Sequence, residues 1–318
     1  MLTRSGLTRR AYHSLFGWVD EYSSEVVGRR GFDRLRPELA MQLIYEIALH
    51  REPDPIGLGS YLPELQAGRI SNRDLFEMVK GSTEGLSKPR YSPRTASFSL
   101  HESRTRFVRS FPPASRIVDL GGIDMGHPEG ALVSFGYPYE FQSLVVVDLP
   151  SPDRHPMYQT DHLFEQIDRE VKTEKGPVTY RYHSMVDLSE FDEGSVDLVY
   201  SGQSFEHVTA EEGRVVLKEA FRILKVGGCF AVDTPNARLT RLQQPDFIDP
   251  DHKVEYTWAE LSSMLVEAGF KIESAQGLNY GGAGVRRGEF DMAEVAANCG
   301  LFDAIEDCYL LAAIARKR

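Results

Sequence analysis

The chain is predicted to be α/β: a doubly wound, mainly parallel sheet of seven strands behind a small all-helical module. Three observations predict it. Beyond residue 113 short apolar runs alternate with helical apolar patterns, as strands joined by crossover helices do. The first of these runs, Ile117-Val118-Asp119-Leu120, passes into Gly121-Gly122, where the backbone can turn sharply at the carboxyl edge of a Rossmann-like sheet. Residues 31–88, in contrast, read as helices punctuated by proline and glycine.

Residues 1–30 hold no sustained period and end in Arg29-Arg30-Gly31, so a loosely structured leader is expected there. From Arg36 the spacing changes. Pro37 suits a first helical turn, and Leu39, Leu43, Ile44, Ile47 and Ala48 form one apolar stripe. Pro53 and Pro55 cannot continue that helix. A second helix is expected from about Gly57 to Gln66, stopped by Gly68, and a third after Ser71, which caps it together with Asp74. Residues 89–113, with Pro93, Pro112, Pro113 and several serines, are expected to be a linker. The larger domain then spans 114–318, with strands at 116–120, 144–148, 178–183, 196–201, 229–233, 271–275 and 309–315.

Composition narrows the function. The 318 residues are 42% hydrophobic and 26% charged, enough apolar side chain for two globular parts. No apolar run approaches the roughly 18 residues of a membrane span, and no secretory signal pattern opens the chain, so no membrane insertion and a cytoplasmic location are expected. Cys229, Cys299 and Cys308 contain no CxxC pair and are expected to be core thiols. The net charge of −11 is uneven: residues 1–95 carry 14 Lys+Arg against 12 Asp+Glu, and the remainder 22 against 35. A domain that acidic repels a polyanion, so nucleic acid is not an expected partner.

The chemistry concentrates at strand ends. Asp148 closes the run Leu144-Val145-Val146-Val147, and a carboxylate at that edge can accept both hydroxyls of a ribose. With Gly121-Gly122 it indicates a nucleoside-containing cofactor. NAD would call for GxGxxG, but the loop continues Ile123-Asp124-Met125-Gly126-His127-Pro128-Glu129-Gly130. Asp124 and Glu129 disfavour a pyrophosphate and suit a ligand with a positive amino-acid or sulfonium end.

Two resemblances follow. The run LIYEIALHREPDPIGLGSYLPELQAGRISNRDLFEMVKGSTE, within residues 39–85, is similar to the helical DUF4214 repeat. That resemblance implies a glycan or cell-envelope context, with oligomerisation or complex contacts through the module. Residues 114–318 resemble a class I S-adenosylmethionine-dependent methyltransferase through V-D-L-G-G, V-V-V-D-L, Y-H-S-M-V-D-L, S-V-D-L-V-Y-S-G-Q-S-F-E-H-V, L-K-E-A-F-R-I-L-K-V-G-G-C-F-A-V-D-T-P-N and D-P-D-H-K-V-E-Y-T-W-A-E-L, in that order. This second resemblance implies S-adenosyl-L-methionine as cofactor. It places Asp119, Gly121 and Gly122 at the methionine end, Asp148 on the ribose, Ser184 and Met185 beside adenine, and Ser201 with Gln203 under the sulfonium. Ser184 departs from the family pattern, where an aspartate is common.

An alcohol acceptor benefits from a base, and a histidine near neutral pKa is the usual one. His207 and His252 both fall where the sheet edge should open. Glu206-His207 precedes the capping box Thr209-Ala210-Glu211-Glu212, which starts a helix with Val215, Val216, Ala220, Ile223 and Leu224 on its apolar side. Some quinone-type relatives imply that such a Glu-His pair can hold a divalent metal, though two adjacent ligands do not define a site. Arg238, Arg241 and Tyr280 are candidate contacts to an oxygen-rich acceptor. The expected activity is O-methylation of a hydroxyl on a sugar or a glycan or cell-envelope intermediate. A small natural product or quinone is the alternative acceptor, and a catalytically silent scaffold the non-enzymatic one.

Overall fold

The computed structural model describes residues 35–49, 53–87, 93–124, 127–154 and 170–318. The chain divides into two compact units, Met1–Phe98 and Ser99–Arg318. The leader expected over residues 1–30 lies outside the described residues.

In the smaller unit, helices α1 (Pro37–Leu49), α2 (Pro55–Gln66), α3 (Asn72–Lys80) and α4 (Thr83–Ser87) follow one another. The start signals act as the sequence predicts. Asp54 accepts from the Gly57 amide at 2.8 Å, and Ser71 and Asp74 form a reciprocal capping box. The buried stripe of α1 is Ala40, Met41, Ile44, Tyr45 and Ala48, packed against Leu65, Leu75, Phe76 and Val79. Ile44 and Ala48 were expected there; Leu39 is half-buried, and the side chains of Leu43 and Ile47 lie outside the described set.

The expected linker is corrected. Helix α5 (Pro93–Arg109) occupies most of residues 89–113, and from Ser99 onward it belongs to the larger unit. Pro93 stands at its first position, where a missing N–H costs nothing. Ser99, Ser103, Phe107 and Phe111 recur every four residues and are all buried. Two serines in that stripe hide its apolar period, yet both are satisfied: Ser103 Oγ donates to the Ser99 carbonyl at 3.0 Å and accepts from the Gly300 amide at 2.8 Å.

The sheet is built from β1 (Arg116–Leu120), β2 (Ser143–Asp148), β3 (Glu170–Lys172), β4 (Pro177–Tyr182), β5 (Val196–Gly202), β6 (Leu224–Pro235), β7 (Lys271–Tyr280), β8 (Leu301–Phe302) and β9 (Cys308–Arg316). Their order is β3-β4-β2-β1-β5-β6-β9-β7-β8. The run β4-β2-β1-β5-β6 is parallel, and β9 enters antiparallel between β6 and β7. All seven expected strands are present. The two additional ones, β3 and β8, are too short to leave a period-2 signal.

Both faces of the sheet are covered. Alternation along β1 sends Ile117 to one core, with Phe107, Phe111 and Leu132, and Val118 to the other, with Val216, Leu217, Leu261 and Leu265. The second face is closed by α7 (Ala210–Ile223) and α9 (Trp258–Glu267); α6 (Ala131–Ser134), α8 (Ala237–Gln243) and α10 (Met292–Ala297) complete the helical set among the described residues. On α7 the buried face is Gly213, Val216, Leu217, Ala220 and Ile223, so Val215 is exposed at 43%, and Leu224 already begins β6. From β1 the chain moves to β2 and β4 on one side and to β5 and β6 on the other. The topological switch therefore falls between β1 and β5, where an open α/β sheet has its ligand crevice.

Candidate active site

At this switch the end of β1 is shaped by two glycines. Gly121 has φ +72°, and its amide donates to the Val147 carbonyl at 2.7 Å. A Cβ there would meet Ser204 Cβ at 2.4 Å. Asp119 lies beneath them, 1% exposed; its Oδ2 accepts from the Leu132 amide at 3.2 Å, while the buried Oδ1 has no hydrogen-bond partner. Burial pushes its carboxyl up to about 7. At the end of β2, Asp148 accepts from the amides of Ile123 at 3.2 Å and Leu149 at 2.8 Å, and Arg154 Nε stands 3.4 Å away. Burial raises Asp148 as well.

The neighbouring expectations divide. Ser184 and Met185 follow β4, and Met185 Cε comes within 3.8 Å of the position a Gly121 Cβ would take. Ser201, however, is fully buried; its Oγ lies 2.6 Å from Ser204 Oγ, which donates to the Leu120 carbonyl at 2.6 Å. Ser201 thus braces the floor of the crevice, with its hydroxyl taken up by Ser204. Gln203 sits in the left-handed region at φ +53° and gives its side-chain amide to Asp233 Oδ1 at 3.0 Å. Arg238 pairs with Asp307 at 3.2 Å and with Glu306.

The two histidines meet. Glu206 and His207 stand on a 3-10 turn, Phe205–His207, and His252 reaches them from the segment ahead of α9. The rings of His207 and His252 are 5.0 Å apart, edge to face. Backbone pairing fixes the approach, because the Lys253 and Val254 amides both donate to the Glu206 carbonyl. His252 Nδ1 lies 2.8 Å from Glu255 Oε1 and its Nε2 4.0 Å from Glu206 Oε1. His207 Nδ1 lies 3.1 Å from Asp251 Oδ2. Glu206 is buried, receives Thr234 Oγ1 at 2.9 Å, and is pushed up to about 7 by burial. Burial, then the nearby His252, holds His207 below its ordinary value. For His252 burial acts in the same direction, but the bond to Glu255 and the charge of Glu206 outweigh it and hold the imidazole above its ordinary value. One ligand atom each from Glu206, His207 and His252 lies within 4.8 Å of the others.

Residues 155–232 match the family model described as a methyltransferase domain. A protein of Mycolicibacterium smegmatis named a "probable S-adenosylmethionine-dependent methyltransferase" is 34% identical over 146 residues, which cover 44% of this chain and 55% of that one. A protein of Mycobacterium tuberculosis with the same description is 38% identical over 90 residues, covering 28% of this chain and 32% of its own. The chain spans about half of the first relative's length and less of the second's. A crystal structure of an S-adenosylmethionine-dependent methyltransferase from Thermotoga maritima aligns at 16% identity over 70% of this chain and 91% of that one, with a TM-score of 0.47.

The larger unit is a Rossmann-like α/β domain. Five parallel strands followed by an antiparallel β9 set ahead of β7 make its sheet, and the matched stretch runs through β3 to β6. The matched relatives are named for S-adenosylmethionine, and the residues at the Asp119 and Asp148 edge are of a kind that fits it. The buried, unpartnered Asp119 Oδ1 is an acceptor waiting for a cationic donor. Asp148 uses two of its roughly four lone-pair directions on amides and one side on Arg154, which leaves room to accept from a hydroxyl. Further residues of the larger unit were not legible as site residues in the sequence: Arg104 in the supposed linker, and Asp251 and Glu255, whose value comes from the histidine each one holds. The fourfold spacing of 99, 103, 107 and 111 was the available signal for α5 and hence for Arg104.

Proposed function

We propose that the larger unit is an S-adenosylmethionine-dependent O-methyltransferase acting on a hydroxyl of a sugar or of a glycan or cell-envelope intermediate. The observation that carries the cofactor assignment is the pairing of Asp119, with its unpartnered buried oxygen, and Asp148 at the switch of the sheet. Bound there, the sulfonium supplies an electrophilic methyl, whose transfer to oxygen breaks a carbon–sulfur bond and leaves S-adenosylhomocysteine. The chain's own part is alignment and proton removal. His207 is the better base of the two histidines, because burial keeps it neutral near pH 7. With Nδ1–H donating to Asp251, Nε2 becomes its basic atom and receives the hydroxyl proton. His252 holds the segment ahead of α9 against Glu206 and Glu255. The glycan acceptor is supported by the resemblance of the helical module and by a histidine-based, oxygen-directed cleft.

A divalent metal is a second reading, favoured by the convergence of Glu206, His207 and His252 and by the carboxylate behind each histidine's Nδ1, an arrangement that orients metal-binding imidazoles. Those three residues would hold the ion, which would supply Lewis acidity toward an acceptor oxygen. One experiment tests both readings: incubation of the full chain with methyl-labelled cofactor and a panel of glycans, nucleotide sugars and quinols, with and without chelator. Label on a sugar hydroxyl, insensitive to chelator, is the expected result. Label on quinols only moves the acceptor to the alternative class, and a melting temperature raised by S-adenosylhomocysteine without any transfer favours the silent scaffold.

A further inference from the structure

Arg104 is a largely covered charge that the mechanism above leaves unused. It projects from α5 with its side chain 15% exposed, its Nε 2.8 Å from Asp233 Oδ1 and its guanidinium carbon 4.4 Å from the centroid of the Phe135 ring. Asp233 is fully buried at the end of β6. Its Oδ2 accepts from Tyr200 Oη at 2.6 Å, its Oδ1 also accepts from Gln203 Nε2, and its carbonyl accepts from the Gln203 amide at 2.8 Å. The ion pair therefore grips both ends of the one residue that takes the left-handed turn after β5. Ser204, next along, carries that turn against Gly121 and the Leu120 carbonyl.

We propose, resting on the cofactor reading above, that Arg104 is a positioning residue of that site: it fixes the turn at Gln203 through Asp233 and supplies the counter-charge that lets Asp119 face a ligand ammonium. The charges that act on Asp119 are Arg104 from α5, Asp148 from β2 and Asp233 from β6, and Asp119 in turn acts on the phenols Tyr180 and Tyr200. Arg104 is the positive one among them. A guanidinium stays protonated in any such setting, so its charge is constant over the working pH range. Without it, three carboxylates share a low-dielectric region and Asp119 holds its proton to higher pH.

The test is S-adenosylhomocysteine affinity of the full chain, by calorimetry between pH 6 and 9. For the parent, affinity is expected to rise through about pH 7. Arg104→Gln should move that midpoint up by about one unit, costing about fivefold in affinity at pH 7 and recovering at higher pH. Arg104→Lys keeps the charge and should keep the parent midpoint, with affinity lowered by loss of the Nε bond to Asp233 Oδ1. A folded Arg104→Gln protein with the parent midpoint, or with an equal loss at every pH, overturns the proposal. If Arg104→Gln does not fold, a midpoint displaced in Arg104→Lys overturns it as well. A parent chain that binds no S-adenosylhomocysteine at any pH overturns the cofactor reading and the proposal together.

Discussion

A Cβ placed on Gly122 would stand 2.2 Å from Oδ2 of Asp119. The glycine is therefore the space the carboxylate occupies. Asp119 is buried and its Oδ2 is tied to the Leu132 amide, so the carboxylate cannot swing away without breaking that bond. Gly122→Ala is expected to weaken S-adenosylhomocysteine binding by at least about tenfold, roughly 1.4 kcal/mol, while far-ultraviolet circular dichroism stays native. Unchanged affinity would show that Asp119 does not define the pocket.

Asp119 also sets a pH dependence. Its carboxyl is held up at about 7 in the native chain, against about 3.9 unfolded. The native state binds this proton more tightly, so the stability it brings is lost as pH climbs from about 4 to about 7 and stays lost above. Asp119→Asn removes that term, of the order of a few kcal/mol, while leaving the similar one from Glu206. The variant should melt higher than the parent at pH 8, with a flatter profile of Tm against pH, and should not bind S-adenosylhomocysteine. A variant that melts lower at pH 8 would contradict the assigned burden.

His207 and His252 are expected to separate on replacement. His207→Ala should cut turnover by about 10²- to 10⁴-fold, the usual contribution of a positioned base, and leave cofactor affinity within about twofold. His252→Ala strips the partner from the buried Glu206 and Glu255, so it should lower both turnover and stability, the latter by about 1–3 kcal/mol in urea unfolding. Full turnover in His207→Ala would move the base elsewhere.

The correction to the linker has its own test. Phe107 is 1% exposed and packs edge-on to Phe111 with ring centroids 4.9 Å apart. Phe107→Ala should destabilise the larger unit by about 3–5 kcal/mol. A residue in a true linker would change stability by less than about 0.5 kcal/mol.

Much of this arrangement was legible because it is local. Runs such as Leu144-Val145-Val146-Val147 are buried on both sides of a sheet and read as strands, and the Thr209 to Glu212 box needs only three residues to declare a helix start. Asp119, Asp148, Glu206, His207 and His252 stood out by type and place. Long-range partners did not stand out. Arg104 meets Asp233 across 129 positions of sequence, and His207 meets Asp251 across 44. Ser201 shows the same limit: period 2 gives the face of a strand, but only Ser204 folding back over it shows where its hydroxyl is bonded.

The place of β9 between β6 and β7 orders assembly of the sheet. Among the described strands, β7 pairs only with β9 and with the two-residue β8. On a ribosome, then, the parallel half can zip up as it emerges, while β7 must wait, undocked, until residues 308–316 arrive to bridge it. Nascent chains stalled before Cys308 should leave β7 open to proteases after the parallel half has become resistant.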